Sequence, residues 1–128
     1  MAIPSGTGTE VLRRGTAHAL SNSATALKFD GTDNSSVGTN TVTVPSNHII
    51  TLFNMTFAEA GGNAETINLI INDGNSDIYL FRAQPLPASS TFSFNEKVVI
   101  IGGAKVTVFC DSAANVDVYY SYIDQDFT

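Results

Sequence analysis

Three oxygen-bearing side chains at alternate positions, Asp73, Asn75 and Asp77 within "LIINDGNSDIYLF" (69–81), come closer than any others in this chain to the spacing of a site. Such a pattern opens an EF-hand calcium loop, which also needs glycine at its sixth position and a bidentate glutamate at its twelfth. Here those positions hold Ile78 and Gln84. The bidentate ligand is absent, and the flanking Ile70, Tyr79 and Phe81 favour strands, not helices. Two readings stand: a surface calcium site on Asp73, Asn75 and Asp77, or the turn of a β-hairpin. In the hairpin, Asp and Asn bond nearby backbone and Gly74 tolerates a positive φ. The hairpin is the better account, with its carboxylates left as a polar loop tip that contacts a neighbouring subunit.

Other chemistry is sparse. A nucleophilic serine or cysteine needs a histidine base within hydrogen-bond reach, and the two histidines, His18 and His48, sit in no catalytic motif. His48 opens an apolar segment, as a strand-end histidine does. Cys110 alternates with Val106 and Val108, the position of a small buried hydrophobe. One cysteine with two histidines thirty residues apart makes no zinc set. "GTGTE" (6–10) precedes no clear helix and lacks the downstream glycine of a phosphate loop. The expectation is a protein that is not an enzyme, with no catalytic residues and no cofactor.

The elements that must position these residues read as strands. The chain has 128 residues, one domain by length and large enough for a real core. Apolar residues make up 43% and charged ones 14%, with Thr, Ser, Asn and Gly abundant, the balance of an all-β domain with polar loops. Alternation in "NVDVYYSY" sets Val116, Val118, Tyr120 and Tyr122 on one face and Asp117, Tyr119 and Ser121 on the other. Tyr119 is thereby the exposed aromatic. Further strands are expected at 24–29, 41–44, 48–57, 66–71, 78–82 and in "AKVTVFC", with Phe92 and Phe94 sharing a face. The apolar run 98–101 predicts a strand covered on both sides. "TEVLRRGTAHAL" (9–20) favours strand over a short helix, and "DGTDNSSVGTN" a long loop.

These signals predict an antiparallel β-sandwich or jelly roll of about eight to ten short strands with an extended N-terminal arm. The arm is assigned to residues 1–14, where Pro4, Gly6 and Gly8 break any periodicity, and the sandwich to 15–128. No run is long and apolar enough for a membrane helix and no secretion signal is apparent, so a soluble protein is expected. Net charge is −6, which disfavours nucleic acid as a partner. Residues 1–28 set three basic side chains against one acidic, and the remainder three against eleven. A mildly basic front carrying Arg13 and Arg14 thus precedes a strongly acidic body, which points to an arm that reaches an acidic neighbour.

The succession "VPSNHIITLFNMTF", "ETINLIINDGNSDIYLF" and "QPLPASSTFSFNEKVVIIGGAKVTVFCDSAANVDVYYSYI" resembles a group of small virion structural proteins of tailed bacteriophages, especially those of marine bacteria and cyanobacteria. The similarity covers about 42–127, and the opening "IPSGTGTEVL" is also similar to starts in that group. The resemblance implies a β-sandwich that decorates or cements the capsid, or serves as a neck, tail or fibre component. It implies no catalytic residues. The expected function is a capsid decoration protein on the virion surface, binding the major capsid protein or other virion proteins as a homo-oligomer such as a trimer. Arg13, Arg14, Asp73, Asp77 and Tyr119 are the expected contact residues. The rival is a receptor-binding or carbohydrate-binding module with Asp73, Asn75 and Asp77 holding calcium beside Tyr79.

Overall fold

In the computed structural model, which describes residues 8–34 and 38–127, the chain is all-β, with nine strands in two antiparallel sheets and no helix among the described residues. The strands are β1 (Thr9–Leu20), β2 (Thr25–Ala26), β3 (His48–Glu59), β4 (Glu65–Asn72), β5 (Asp77–Leu86), β6 (Thr91–Phe94), β7 (Val98–Ile101), β8 (Lys105–Cys110) and β9 (Val116–Asp126). One sheet runs β1-β9-β3, with β6 and β7 end to end along the far side of β3; the other runs β2-β8-β4-β5.

This order is a long hairpin rolled into two layers. Outward from a tip at Asp73–Ser76, β4 pairs with β5, β3 with β6 and β7, β2 with β8, and β1 with β9. The roll then brings β3 beside β9 and β4 beside β8. That nesting is the jelly roll, a double-sheet solution that leaves few open edges. The predicted sandwich is therefore the observed fold, and the stretch first weighed as a calcium loop is the tip of the whole rolled hairpin.

The core follows the alternation. Tyr120, Tyr122, Phe57, Leu52, Ile50, Leu69 and Val108 are fully enclosed between the sheets. Phe81 and Phe92 pack edge to face at 5.4 Å and both approach Phe57, which ties β5 of one sheet to β3 and β6 of the other. Tyr120 also carries polar duty. Its hydroxyl donates to the carbonyl of Lys28 (2.5 Å) and accepts from the Asn34 amide (2.9 Å), so the loop after β2 is pinned to the core. Burial drives that phenol's pKa upward. Cys110 is likewise buried, and desolvation, with Glu65 and Asp111 nearby, pushes its thiol up to about 12, far from a reactive thiolate.

Four expectations change. Residues 9–14, assigned to the arm, form the first half of β1, because β9 offers a full antiparallel ladder from Asp126 to Tyr119; residues 1–7 of that arm lie outside the described residues. The strand expected over 41–44 is irregular chain, although Val44 still bonds the Ala104 carbonyl. The strand over 24–29 shrinks to β2. β7 is covered on one side only: Ile100 is buried and Val99 is 65% exposed. A run of four apolar residues looks the same whether a second layer covers it or not.

Candidate functional site

β9 is central in its sheet, so its outward residues sit in the middle of an open face. Tyr119, 48% exposed, stands between Thr16 of β1 and Thr56 of β3. Two rows along, beyond Arg14 and Ser121, Leu12, Ile123, Thr51 and Val99 line up across β1, β9, β3 and β7. Leu12 is 70% exposed. A bulge in β3 between Leu52 and Asn54 adds to this face: Leu52 and Met55 both point inward, so Phe53 and Asn54 both point out. Phe53 joins Leu12, Arg14, Tyr119 and Ser121 around a shallow depression of about 350 Å³. Nothing in the described chain covers this apolar face.

Arg13 and Arg14 are consecutive on β1 and so diverge. Arg14 points outward and bonds Asp33 at 3.1 Å, a solvent-exposed pair worth little. Arg13 points toward one end of the sandwich, where its Nε lies 3.6 Å from the buried Asp124. Asp124 also accepts from His48 Nδ1 at 2.7 Å, and His48 Nε2 faces Asp126 at 3.4 Å. His48 is the first residue of β3, as expected of a strand-end histidine, and the cluster ties the starts of β1 and β3 to the end of β9. His18, on the open face, bonds Asp117 at 2.7 Å beside a second depression that Tyr119 also lines.

Asp73, Asn75 and Asp77 lie at the hairpin tip between β4 and β5. Asp73 Oδ1 accepts the backbone N–H groups of Asn75 (3.0 Å) and Ser76 (2.9 Å), which hold its pKa below the ordinary carboxylate value. Asp77 accepts from the Asn72 amide at 2.8 Å, and Gly74 takes φ +103° with Asn72 bonding its N–H. The carboxylates therefore serve the turn. Among the described residues no group of three or more His, Cys, Asp or Glu is placed to hold a metal ion.

Of the expected contact residues, Arg14 and Tyr119 meet at one depression, whose lining Arg13 also enters although its side chain turns away to Asp124, whereas Asp73 and Asp77 stand apart at the tip, Asp73 beside Gly102 and Gly103. Leu12, Phe53 and Val99 were missed. Leu12 was legible in principle, since it lies two positions before Arg14 in a strand; Phe53 depends on a bulge.

Glu59 was also missed. Its buried carboxylate accepts backbone N–H groups from Gly61 (2.7 Å), Gly62 (2.8 Å), Asn63 (3.1 Å) and Ser89 (2.8 Å), so one side chain organises two loops. The Ser89 bond is foremost in lowering its pKa from the ordinary 4.5. A lowered folded pKa means stability that is present above the unfolded value and lost as pH falls through the folded one. Glu59→Gln is expected to lower Tm at neutral pH, because one end of an amide must face a donor. The gap to wild type should narrow as pH falls below the ordinary 4.5 and through the lowered folded value, where the native carboxylate protonates as well. Thermal melts from about pH 7 down to pH 3 check this; a constant gap would show that the carboxylate's charge is unimportant.

No protein-family model matches the sequence, and no curated protein matches it. Solved structures do. One is a pentameric capsid protein isolated from metagenomic phage sequences, with 13% identity and a TM-score of 0.40. The match covers 87% of this chain and 60% of that one, so this chain spans about three-fifths of its length. Another is the acid-stable capsid structure of Helicobacter pylori bacteriophage KHP30, with 9% identity, a TM-score of 0.47, and coverage of 94% and 90%.

Proposed function

We propose that this chain is a non-enzymatic bacteriophage virion structural protein, a capsid decoration or cement protein that binds the assembled head as a homo-oligomer. The observation that carries the reading is the uncovered apolar face of the β1-β9-β3 sheet. Leu12, Ile123, Val99, Phe53 and Tyr119 form a docking surface on a rigid sandwich, and its depressions are shallow and wide open. A patch of this kind, rimmed by polar groups such as Arg14 and Asp117, marks association with another macromolecule. The jelly roll is one of the architectures that build viral capsid domains, and the sequence resemblance to phage virion proteins points the same way. Fold alone does not imply function, so the surface has to be tested directly.

The partner is the major capsid protein, contacted through Tyr119 and Val99 on the face and through the Asp73 and Asp77 tip. Binding only the assembled shell stabilises it by mass action. Val99→Asp with Tyr119→Asp should leave Tm nearly unchanged, since surface substitutions cost within about 0.5 kcal/mol each. Occupancy on shells should fall at least tenfold, read by quantitative gel densitometry of purified particles. Undiminished occupancy would rule out this face. The same gel separates decoration from a neck, tail or fibre role by copy number, many per shell against few. Removal of residues 1–7 tests the arm without cutting β1, which a deletion through Arg14 would halve.

A further inference from the structure

The four sheet edges are not equally protected. β2 is two residues long, β5 carries Pro85 and two register shifts, and the β6–β7 edge is interrupted over 95–97. Natural proteins blunt edges with such devices, because an open edge pairs with another chain. β1 has none of them before the irregularity that follows Ala17. Its pairing with β9 is unbroken from Thr9 to Ala17.

The direction of its free backbone groups can be read from one contact. The carbonyl of Thr16 accepts the Asn34 backbone N–H (2.9 Å) and side-chain amide (3.0 Å), on the side away from β9. In an antiparallel strand that orientation repeats every second residue. Arg14, Leu12 and Glu10 therefore also turn their N–H and C=O groups to the open edge, and among the described residues no backbone bond reaches them there. Their side chains share the outer face, where Glu10 meets Gln125 at 3.0 Å.

We propose that β1 is a homodimerisation edge, pairing antiparallel with β1 of a second copy about a two-fold axis at Leu12. That register sets Leu12 against Leu12 and, twice over, Glu10 against Arg14. The outward residues fall opposite one another as hydrogen-bonded pairs, giving about six backbone bonds across the axis. The occupant follows from this self-complementarity: opposite charges face each other at both ends, and the most exposed leucine meets its own copy. Arg14 can keep Asp33, because a guanidinium has five donors. The ladder stops where Gly8 meets Thr16, whose carbonyl Asn34 already occupies. The apolar rows of both copies then run on as one face. The pairing goes beyond the decoration reading and does not depend on where in a virion the protein sits.

A charge swap tests it on the full-length chain by sedimentation over a concentration series to about 100 µM. Wild type should form dimers. Glu10→Arg and Arg14→Glu singly should each weaken dimerisation at least tenfold, the double variant should regain it, and an equimolar mixture of the two single variants should form heterodimers. Amide exchange at Glu10, Leu12 and Arg14 in wild type should slow as concentration rises. A monomeric wild type, dimers indifferent to the swaps, or exchange independent of concentration would each overturn the pairing. A monomer that still loads shells removes the edge pairing alone, and a charge-swappable dimer absent from shells removes the virion reading alone.

Discussion

Gly15→Ala is expected to destabilise the domain by about 3 kcal/mol or more, the upper range for overpacking a close-fitted core. A Cβ at Gly15 would lie 2.2 Å from Cζ of Tyr120, 2.4 Å from its hydroxyl and 2.6 Å from Cε2. The ring has no easy way out. It is fully buried, packs against Phe29 and Tyr122, and is anchored at its hydroxyl by Lys28 and Asn34. The missing side chain is thus the space that admits a core tyrosine of β9 directly across from β1. Thermal melting measures the loss. In a Tyr120→Leu background the same substitution should cost at least about 1 kcal/mol less, since the obstructing atoms are gone and contacting sites couple by 0.5–3 kcal/mol. Equal losses in both backgrounds would mean that the strain lies elsewhere.

Phe57→Ala should cost about 3–5 kcal/mol, the range for emptying a fully buried phenylalanine site. Phe57 has no exposed surface and lies 5.6 Å from the ring of Phe81 across the sandwich and 6.4 Å from that of Phe92. Truncation removes apolar burial and two aromatic contacts at once, at the place where the sheets are joined by rings. Against a typical stability of about 5–15 kcal/mol, the variant is left marginal. For a domain of this length the expected fall in Tm is on the order of 10–20 °C. Chemical denaturation should show a lower midpoint with an unchanged slope. A drop of only a few degrees would mean that Phe81, Phe92 and Phe94 close over the gap.

Much of the fold was legible because alternation is a local signal. The run from Val116 to Tyr122 sorted its tyrosines correctly: Tyr120 and Tyr122 in the core, Tyr119 outside. Phe92 and Phe94 shared an inward face, and Cys110 was buried with Val106 and Val108. Alternation failed where coverage or pairing decides. Val99 belongs to a run that reads as doubly buried, yet no layer covers its outer side. Thr41 to Val44 has the composition of a strand but no ladder to join. Arg13 and Arg14, weighed together as arm charges, part to opposite faces because residues 9–14 are strand.

Residue types and their order were enough for an acidic, all-β chain, the inward and outward residues of its best-patterned strands, and a tip at "NDGNSD" in which Asp73 and Gly74 suit a turn. These follow from side-chain type and a period of two, which any short window contains. Tertiary structure alone decided that β9 lies between β1 and β3, that Glu59 gathers four N–H groups from two loops, and that the uncovered sheet face and the open edge of β1 meet at Leu12. The strand pairings join residues up to 117 positions apart, as Thr9 and Asp126 are, and Glu59 reaches the N–H of Ser89 from 30 positions away. Backbone hydrogen bonding is the same for every residue type but proline, so side-chain patterning alone does not record which strand becomes the neighbour and which edge is left open.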